Sequence, residues 1–479
     1  MSLNNSVYKK KLYTYRPDRT DQEVDTHRTK TRCRLEPCDT TSIERGVRQL
    51  LANKVSGTMV GIWLLIPEHL RIGTWDMLCG WTSKPIPQVE PRLALQLVHE
   101  AALCVTGVRQ ARSLSQKGFE LANGLPFVAT DKAIHELLNA HTVAEAQALQ
   151  IALGKIRRAS GHYNAQVLAI DPHRISSYSK RQMRRHQIDK GPKPSKMAQT
   201  FFCLDTSNKQ PLCFTTGTSS KTVSQATPEL LDLASAILSP QQNKSLVVAD
   251  GEHFTVDIIK DIHNRSHFDL LVQLPNQPAM KKKLNNIPHE QFVPGWAGFA
   301  THKSPYNPGN GNLLMPLYQI TQRCGEKPDQ YQYKAFLSTA DREEVDALTL
   351  HYPSRWHVEE FFNANQALGW SRAGTTNINI RYGHMTLALI AQASIHQLRQ
   401  RLGEPIVQWD ARHLAKSLFN GLDGDIRVTD DTIVITYYNA PNVLLLKKHY
   451  EYLPQKLTSE NVDPRIPWLY NFKLDFRFK

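Results

Sequence analysis

Short apolar runs alternate with amphipathic segments between residues 166 and 274, and this alternation restricts the possible folds more than any other feature. The runs have the length and composition of buried strands, and they cover 166–171, 199–205, 211–217, 245–250 and 268–274. The turn SNKQ separates the second run from the third and predicts a hairpin. After it, Thr227 as N-cap and Pro228 as first residue predict one helix, and TVDIIKDIHN predicts another. Strands that alternate with helices after a hairpin predict the α/β class with a mixed sheet.

The pattern changes on both sides of this α/β core. The first fifty residues mix charges of both signs and predict an extended arm, whereas apolar residues spaced by three and four predict helices over 41–158. There, Thr142 and Glu145 have the spacing of a capping box. We predict five regions: an arm with a helical domain (1–158), the first part of the core (159–275), a β-rich insertion marked by prolines and glycines (276–335), the second part of the core (336–402) and a C-terminal region (403–479).

The charge balance indicates an anionic partner. The 479 residues include 58 Lys and Arg against 44 Asp and Glu, a formal net charge of +14. Nucleic acid fits this excess better than a membrane, because the apolar stretch 55–67 is shorter than the about 20 residues of a spanning helix. The start shows no secretory signal and the seven cysteines form no disulfide framework, so we expect a cytoplasmic protein. No turn within 1–158 selects one helix as the DNA-reading helix.

Three carboxylates stand at positions where a mixed sheet would bring them together. Asp171 ends the first apolar run, Asp250 ends the fourth, and Glu359 lies on a predicted helix after the insertion. Strand ends at one edge of such a sheet bring distant acids close, and clustered carboxylates repel unless metal ions lie between them. Carboxylate oxygens suit Mg²⁺ or Mn²⁺, and two such ions can stabilise both oxygens of a phosphodiester displacement.

The segment around Glu359 adds further polar groups. Tyr352, Arg355, Glu359 and Gln366 are spaced by 3, 4 and 7, which places them on one face of a helix. Glu360 would point about 100° away from the Arg355 face, so Glu359 is the predicted acid. The three aromatic residues of the segment, Trp356, Phe361 and Phe362, are predicted to pack into the core on the opposite side.

Two basic clusters accompany these acids. One begins three residues after Asp171 and contains Arg174, Lys180, Arg181, Arg184, Arg185, Lys190, Lys193 and Lys196, with Asp189 as its one acid. Phosphate neutralisation by such a patch makes binding strongly dependent on salt. The other, Lys281 to Lys283, lies in the insertion.

The acid-bearing segments resemble a known family. AIDPHRISSYSKR, VVADGEHF and YKAFLSTADREEVDALTLHYPSRWHVEEFFNANQ occur in the order Asp, Asp, β-rich insertion and Tyr-x2-Arg-x3-Glu. This order resembles the DDE transposases of the insertion-sequence-4 superfamily, which are bacterial cut-and-paste enzymes, over about residues 160–402. The resemblance implies an RNase H-like mixed sheet with a β-rich insertion, preceded by an α-helical DNA-binding domain.

The resemblance also implies roles for single residues. Asp171, Asp250 and Glu359 would hold two Mg²⁺ ions, with Mn²⁺ as a substitute, while Tyr352 and Arg355 would contact phosphates at the transposon end. The family pattern has a Lys seven residues after the glutamate, where this chain has Gln366, whose amide can donate to phosphate but carries no charge. In related enzymes an insertion-domain aromatic residue stacks on a flipped base, and Trp296 is the candidate for that role in this chain. The alternative is that Trp296 packs in the β-rich core of the insertion.

The implied function is metal-dependent cleavage at transposon ends, followed by transfer of the 3′-OH into target DNA. A homodimer on double-stranded DNA, associated with the bacterial nucleoid, and dimerisation through 403–479 are further implications of the family. Two alternatives stay open: an RNase H-like nuclease, or a domesticated, catalytically inactive DNA-binding regulator. The recognised end sequence, the target preference and the form of the cut ends stay open as well.

Overall fold

The structure is a computed structural model that describes residues 40–57, 59–82, 89–105, 114–177, 182, 185–186, 194–239, 243–296, 298–307, 315–370, 375 and 377–479. The chain forms two compact units. We call them the end unit, which is Met1–Leu153 with Ala364–Lys479, and the middle unit, Gly154–Asn363. No helix among the described residues is long and apolar enough to cross a bilayer.

The first described segment, which starts at residue 40, is mainly helical, as predicted. Residues 1–39, which make up most of the predicted arm, lie outside the described residues. The elements of the helical segment are α1 (Thr40–Leu51), β1 (Val55–Gly57), α2 (Ile66–Ile72), α3 (Thr74–Trp81), α4 (Val89–Ala102), α5 (Lys117–Ala122), α6 (Asp131–Ala140) and α7 (Val143–Ala159). The predicted capping box precedes α7: the Thr142 N–H donates to Glu145 Oε2 at 2.6 Å, and the Glu145 N–H donates to Thr142 Oγ1 at 3.2 Å.

The C-terminal part of the end unit adds a long helix and a small sheet. Its elements are α13 (Ile378–Leu402), α14 (Ala411–Leu414), β12 (Gly424–Thr429), β13 (Thr432–Tyr437), α15 (Val443–Tyr450), α16 (Leu453–Ser459), β14 (Arg465–Ile466) and β15 (Phe472–Phe478). Helix α13 is buried over most of its length and packs against α4 and α6. The sheet has the order β1-β12-β13-β15-β14.

The middle unit contains one large sheet with helices. Its elements are β2 (Val167–Ser176), β3 (Arg185–His186), β4 (Ser195–Asp205), β5 (Gln210–Thr218), α8 (Val223–Leu238), β6 (Ser245–Ala249), α9 (Val256–Asn264), β7 (Phe268–Gln273), α10 (Pro278–Asn285), β8 (Val293–Trp296), β9 (Phe299–Pro305), β10 (Tyr318–Cys324), β11 (Gln332–Ser338), α11 (Glu344–Asp346) and α12 (His357–Asn365).

The strand order of this sheet is that of an RNase H-like core. Strand β5 pairs with β4 and β4 with β2 in antiparallel fashion, whereas β2, β6 and β7 run parallel to one another. The α/β prediction with a mixed sheet is therefore confirmed. The strands of the predicted insertion continue the same sheet beyond β7, in the order β11-β10-β9-β8.

Two sequence-based boundaries were wrong. Strand β2 does not end at Asp171 but continues to Ser176, because its pairing with β4 extends beyond its pairing with β6. Helix α8 begins four residues before Thr227: Thr222 is its N-cap and forms a capping box with Gln225. Pro228 therefore lies inside the helix rather than at its first position.

Candidate active site

Asp171 lies on β2 of the middle unit, and Asp250 directly follows the adjacent parallel strand β6. Strands β2 and β6 are paired so that Ile170 is opposite Ala249, and an aspartate follows each of these residues. The apolar side chains before them are fully buried, which fixes the register of the two strands. The sheet thus brings together two acids that are 79 positions apart in the sequence.

Asp250 is held by the turn that follows β6. Its Oδ1 accepts hydrogen bonds from the Glu252 N–H at 3.1 Å and from His253 Nδ1 at 3.0 Å. Burial raises the pKa of the Asp250 carboxyl, but the His253 contacts, the Glu252 N–H and the charge of Arg355 outweigh burial and leave that pKa below its ordinary value. Asp250 therefore stays ionised at neutral pH.

Arg355 connects Glu359 to Asp171 by contacting both carboxylates. The Nη1 of Arg355 lies 3.5 Å from Asp171 Oδ2, and its Nη2 lies 3.4 Å from Glu359 Oε1. The neighbouring Glu360 instead contacts Lys209 at 2.7 Å and His357 at 3.0 Å. The structure therefore places Glu359, as the helical spacing predicted, and not Glu360, beside Arg355.

The negative charges near Asp171 outnumber the positive ones. Burial, and after it the charges of Asp250 and Glu359, raise the pKa of its carboxyl to about 7, because Arg355 only partly offsets these effects. Within the described part of the chain, the Nε of Arg355 is buried without a hydrogen-bond partner. Acids that lack enough cations and an arginine that lacks an acceptor suit a ligand that brings both a metal ion and a phosphate.

Tyr352 borders the same site. Its hydroxyl donates to Gln273 Oε1 at 3.1 Å, and its ring meets the Phe336 ring edge-on at 4.6 Å. Gln273 follows Val272, which is paired with Ala249, so it lies beside Asp250 on the next strand. Burial raises the pKa of the Tyr352 phenol to about 12, and the phenol therefore remains a hydrogen-bond donor at neutral pH.

The donor chemistry of the three acids fits Mg²⁺ or Mn²⁺, since both ions prefer carboxylate oxygens. In the described residues, no group of three or more His, Cys, Asp or Glu side chains is arranged as a metal site. Asp171 and Asp250 form the converging pair, and the Arg355 guanidinium stands between Asp171 and Glu359. A third carboxylate ligand therefore requires the Glu359 side chain to leave Arg355.

The helix that was predicted to carry the polar face is not continuous. A π-helical turn, Ala347–His351, is followed by the 3₁₀ turn Tyr352–Trp356, by α12 and by a second 3₁₀ turn, Gln366–Leu368. The predicted single α-helix was therefore wrong, and the spacing of seven residues no longer supports a shared face for Glu359 and Gln366. Gln366 is exposed and belongs to the end unit.

The aromatic residues of this segment divide differently from the prediction. Phe361 and Phe362 are buried, as expected. Trp356 is not part of the core: it is 55% exposed, and its ring packs against the Arg355 guanidinium at 4.9 Å. The 3₁₀ turn rotates Trp356 away from the side that an α-helix would have given it.

The predicted DNA-contacting residues lie at several places. Arg174 is exposed on β2 and forms a bidentate ion pair with Glu252. Arg185 is exposed on the short strand β3. Trp296 ends β8 and stacks on Phe299 at 5.0 Å. Three further predicted residues lie outside the described residues: Lys180, Arg181 and Arg184.

Two residues near the acids were not singled out from the sequence. Glu252 binds Arg174, and His253 binds Asp250. The available signal was their spacing: residues two and three positions after a strand end fold back onto that end when the chain turns there. The 3₁₀ turn Gly251–His253, which Asp250 caps, makes this fold-back.

Comparisons with known proteins bear on this arrangement. No curated protein matches the chain. Among solved structures, the chain is similar to a piggyBac transposase in a synaptic complex with hairpin DNA, with 12% identity and a TM-score of 0.41, over 77% of this chain and 82% of that one. Residues 162–393 match the model of a family described as the transposase DDE domain. This matched range contains Asp171, Asp250 and Glu359.

Proposed function

We propose that this chain is a DNA transposase of the insertion-sequence-4 superfamily, which cuts DNA at transposon ends and joins the freed 3′-OH to target DNA. The observation that carries the proposal is the register of β2 and β6, which sets Asp171 beside Asp250 within the matched transposase domain. Glu359 is the third acid, and Arg355 links it to Asp171.

Asp171, Asp250 and Glu359 would hold two Mg²⁺ ions, for which Mn²⁺ can substitute. Bound there, the ions supply Lewis-acid stabilisation of the charge that develops on the phosphodiester oxygens. The chain itself supplies the positioning groups. Arg355 has a buried Nε without a partner among the described residues, and it would turn toward a phosphate oxygen as Glu359 turns toward the metal. Tyr352, which stays protonated, would donate a hydrogen bond to the same phosphate.

DNA binding by the rest of the chain belongs to the same proposal. Trp296 would stack on a base displaced from the duplex, and the amide of Gln366 would donate to a phosphate. The basic residues after β2 would contact the backbone of the transposon end: Arg174, Lys180, Arg181, Arg184 and Arg185. Cleavage of two ends together requires two copies of the chain, so we propose a homodimer on DNA, acting in the bacterial cytoplasm at the nucleoid.

The test is cleavage of a supercoiled plasmid that carries the DNA flanking the coding sequence. We expect the wild-type chain to cut at the flanks in Mg²⁺ and not in EDTA, and the Glu359→Gln variant not to cut in either. Sequencing of the products then detects 3′ ends joined to new DNA. Cutting without joining would replace the transposase with a nuclease of the same fold.

A DNA-binding regulator on an inactive core is the second candidate. Two observations favour it: a guanidinium stands between Asp171 and Glu359, and Gln366 replaces the lysine of the family pattern. This candidate predicts plasmid binding that is equal in Mg²⁺ and EDTA, with no cut by the wild-type chain. Gln366→Lys would be the first variant to examine for restored cleavage.

A further inference from the structure

The two oxygens of the Asp250 carboxylate have different surroundings. Oδ1 accepts both hydrogen bonds, from the Glu252 N–H and from His253 Nδ1, whereas Oδ2 accepts none from the described residues. The Asp250 side chain is 30% exposed, but the His253 side chain is only 2% exposed. The histidine therefore holds the carboxylate from its interior side.

We propose that His253 is a positioning residue for Asp250: its Nδ1–H fixes the carboxylate so that Oδ2 is the oxygen that would bind a metal ion. The proposal rests on the proposed function, because it requires Asp250 to bind metal. It adds a residue outside the three acids, on which the affinity for metal should depend.

The need for a second donor follows from the torsional freedom of aspartate. The terminal torsion of its side chain is broad and roughly two-fold, so a single hydrogen bond allows the carboxylate plane to rotate and its oxygens to exchange. The Glu252 N–H alone leaves this freedom. Two donors that approach the same oxygen from the backbone turn and from the buried ring determine which oxygen remains available.

The hydrogen bond also fixes the tautomer of the ring. An ionised carboxylate only accepts hydrogen bonds, so the proton must reside on His253 Nδ1. Partners in the outer shell of a metal site typically change metal affinity by 10–100-fold when they are lost. We expect an effect of that size here.

Three substitutions separate the hydrogen bond from packing. In His253→Asn the amide nitrogen can occupy the place of Nδ1, whereas in His253→Gln it reaches only the place of Nε2. His253→Leu keeps a buried side chain without any donor. If His253 acted through packing alone, the three variants would have similar affinity for metal. The proposal instead predicts a higher metal affinity for His253→Asn than for His253→Gln and His253→Leu.

The direct readout is Mn²⁺ binding to the full chain, measured by loss of the free-ion signal in electron paramagnetic resonance. We expect wild type and His253→Asn to bind with similar affinity, and His253→Gln and His253→Leu to bind about 10–100-fold more weakly. Plasmid cleavage at increasing Mn²⁺ should shift by the same factor, and saturating Mn²⁺ should restore most of the rate. Equal Mn²⁺ affinity in all four proteins would overturn the proposal.

A measurement on the wild-type chain keeps the proposal testable if a variant does not fold. Nitrogen-15 spectra of histidine-labelled protein at pH 8 report which ring nitrogen carries the proton. We expect the Nδ1–H form for His253, and the Nε2–H form would overturn the proposal. Wild-type protein that neither binds Mn²⁺ nor cuts DNA would instead contradict the proposed function, so the two failures are distinguishable.

Discussion

Arg355 lies between two carboxylates, although the sequence indicated only that it shares a face with one of them. The i,i+4 spacing to Glu359 was readable because it is local, and the order of the acids gave Asp171 and Asp250. The contact of Arg355 with Asp171 was not readable, since it depends on how the segment Tyr352–Trp356 approaches β2. The contact of His253 with Asp250 was not predicted for a similar reason, because it depends on a 3₁₀ turn rather than on a residue pattern.

Substitution of the two adjacent glutamates tests the assignment of the third acid. Glu359→Gln should lower the rate of plasmid cleavage by at least about 100-fold, because a metal ligand supplies several kcal/mol and each 1.36 kcal/mol is a factor of ten. Glu360→Gln should stay within a factor of about three, since Glu360 forms only exposed contacts, with Lys209 and His357. The reverse ranking would contradict the assignment.

Glu252 should restrain Arg174 in the absence of DNA. Glu252→Gln removes the carboxylate that holds the guanidinium, so duplex DNA should bind a few-fold more tightly at low salt, and the salt slope should increase by about one phosphate contact. Fluorescence anisotropy over a series of salt concentrations measures both quantities. Asp232→Asn, which breaks an exposed pair with Arg265 elsewhere, is the matched control and should change neither. A weaker-binding Glu252→Gln variant would refute this restraint.

At the scale of elements, the apolar runs identified the strands but not all of their ends. The run in β2 stops at Asp171 because only that half is paired on both sides, with β4 and with β6. Beyond it, β2 pairs with β4 alone, and its side chains become mixed. Apolar content therefore marks the buried half of the strand, whereas backbone pairing sets its length.

The start of α8 shows a competing signal. Thr227 followed by Pro228 is typical of a helix start, but the spacing of Thr222 and Gln225 is that of a capping box, and the box determines the start. The Thr227 hydroxyl instead donates to the Val223 carbonyl inside the helix at 2.8 Å. The sequence contained both signals, and only the structure shows that the capping box at Thr222 sets the start of the helix.

Removal of this cap should weaken the middle unit. Thr222→Ala should lower the free energy of unfolding by about 1 kcal/mol, because the Gln225 N–H loses its side-chain acceptor. Thr222→Ser keeps a hydroxyl and should remain close to wild type. Urea unfolding followed by circular dichroism measures the loss, and faster hydrogen exchange of the first α8 amides assigns it to this helix. Equal stability of the two variants would show that Thr222 is not the cap.

At the scale of the whole molecule, the end unit contains a buried pair of histidines that no sequence pattern indicated. His69 Nε2 lies 3.2 Å from His99 Nε2, and His99 Nδ1 lies 2.7 Å from Asn123 Oδ1. Asn123 donates through its own amide to the Phe119 carbonyl, so its Oδ1 accepts from His99 Nδ1–H. The His99 Nε2 then accepts from His69, and both rings are neutral.

This pair should make stability depend on pH. Burial lowers the pKa of His99 to about 4 and that of His69 well below its ordinary value. Since these folded-state pKa values lie below those of the unfolded chain, the stability they contribute is present above about pH 6.5 and is lost as the pH falls toward 4. His99 alone should cost about 2 kcal/mol of unfolding free energy between pH 7 and pH 5.

The matched variant for this prediction is His99→Gln, which should flatten the dependence between pH 5 and pH 7. Burial raises the pKa of the neighbouring Glu68, which titrates in the opposite sense, so the difference between wild type and variant isolates the imidazole. Urea unfolding at several pH values gives both curves. Parallel curves would show that His99 does not remain neutral in the folded chain.

The most direct test of the central claim locates the metal on the protein and requires no knowledge of the DNA ends. Fe²⁺ bound in place of Mg²⁺, with ascorbate and peroxide, cuts the backbone close to its ligands. We expect cuts near Asp171, Asp250 and Glu359, which Mg²⁺ suppresses and which Asp250→Asn abolishes. Cuts elsewhere, or an unchanged pattern in Asp250→Asn, would contradict the claim that these three acids form one metal-dependent active site.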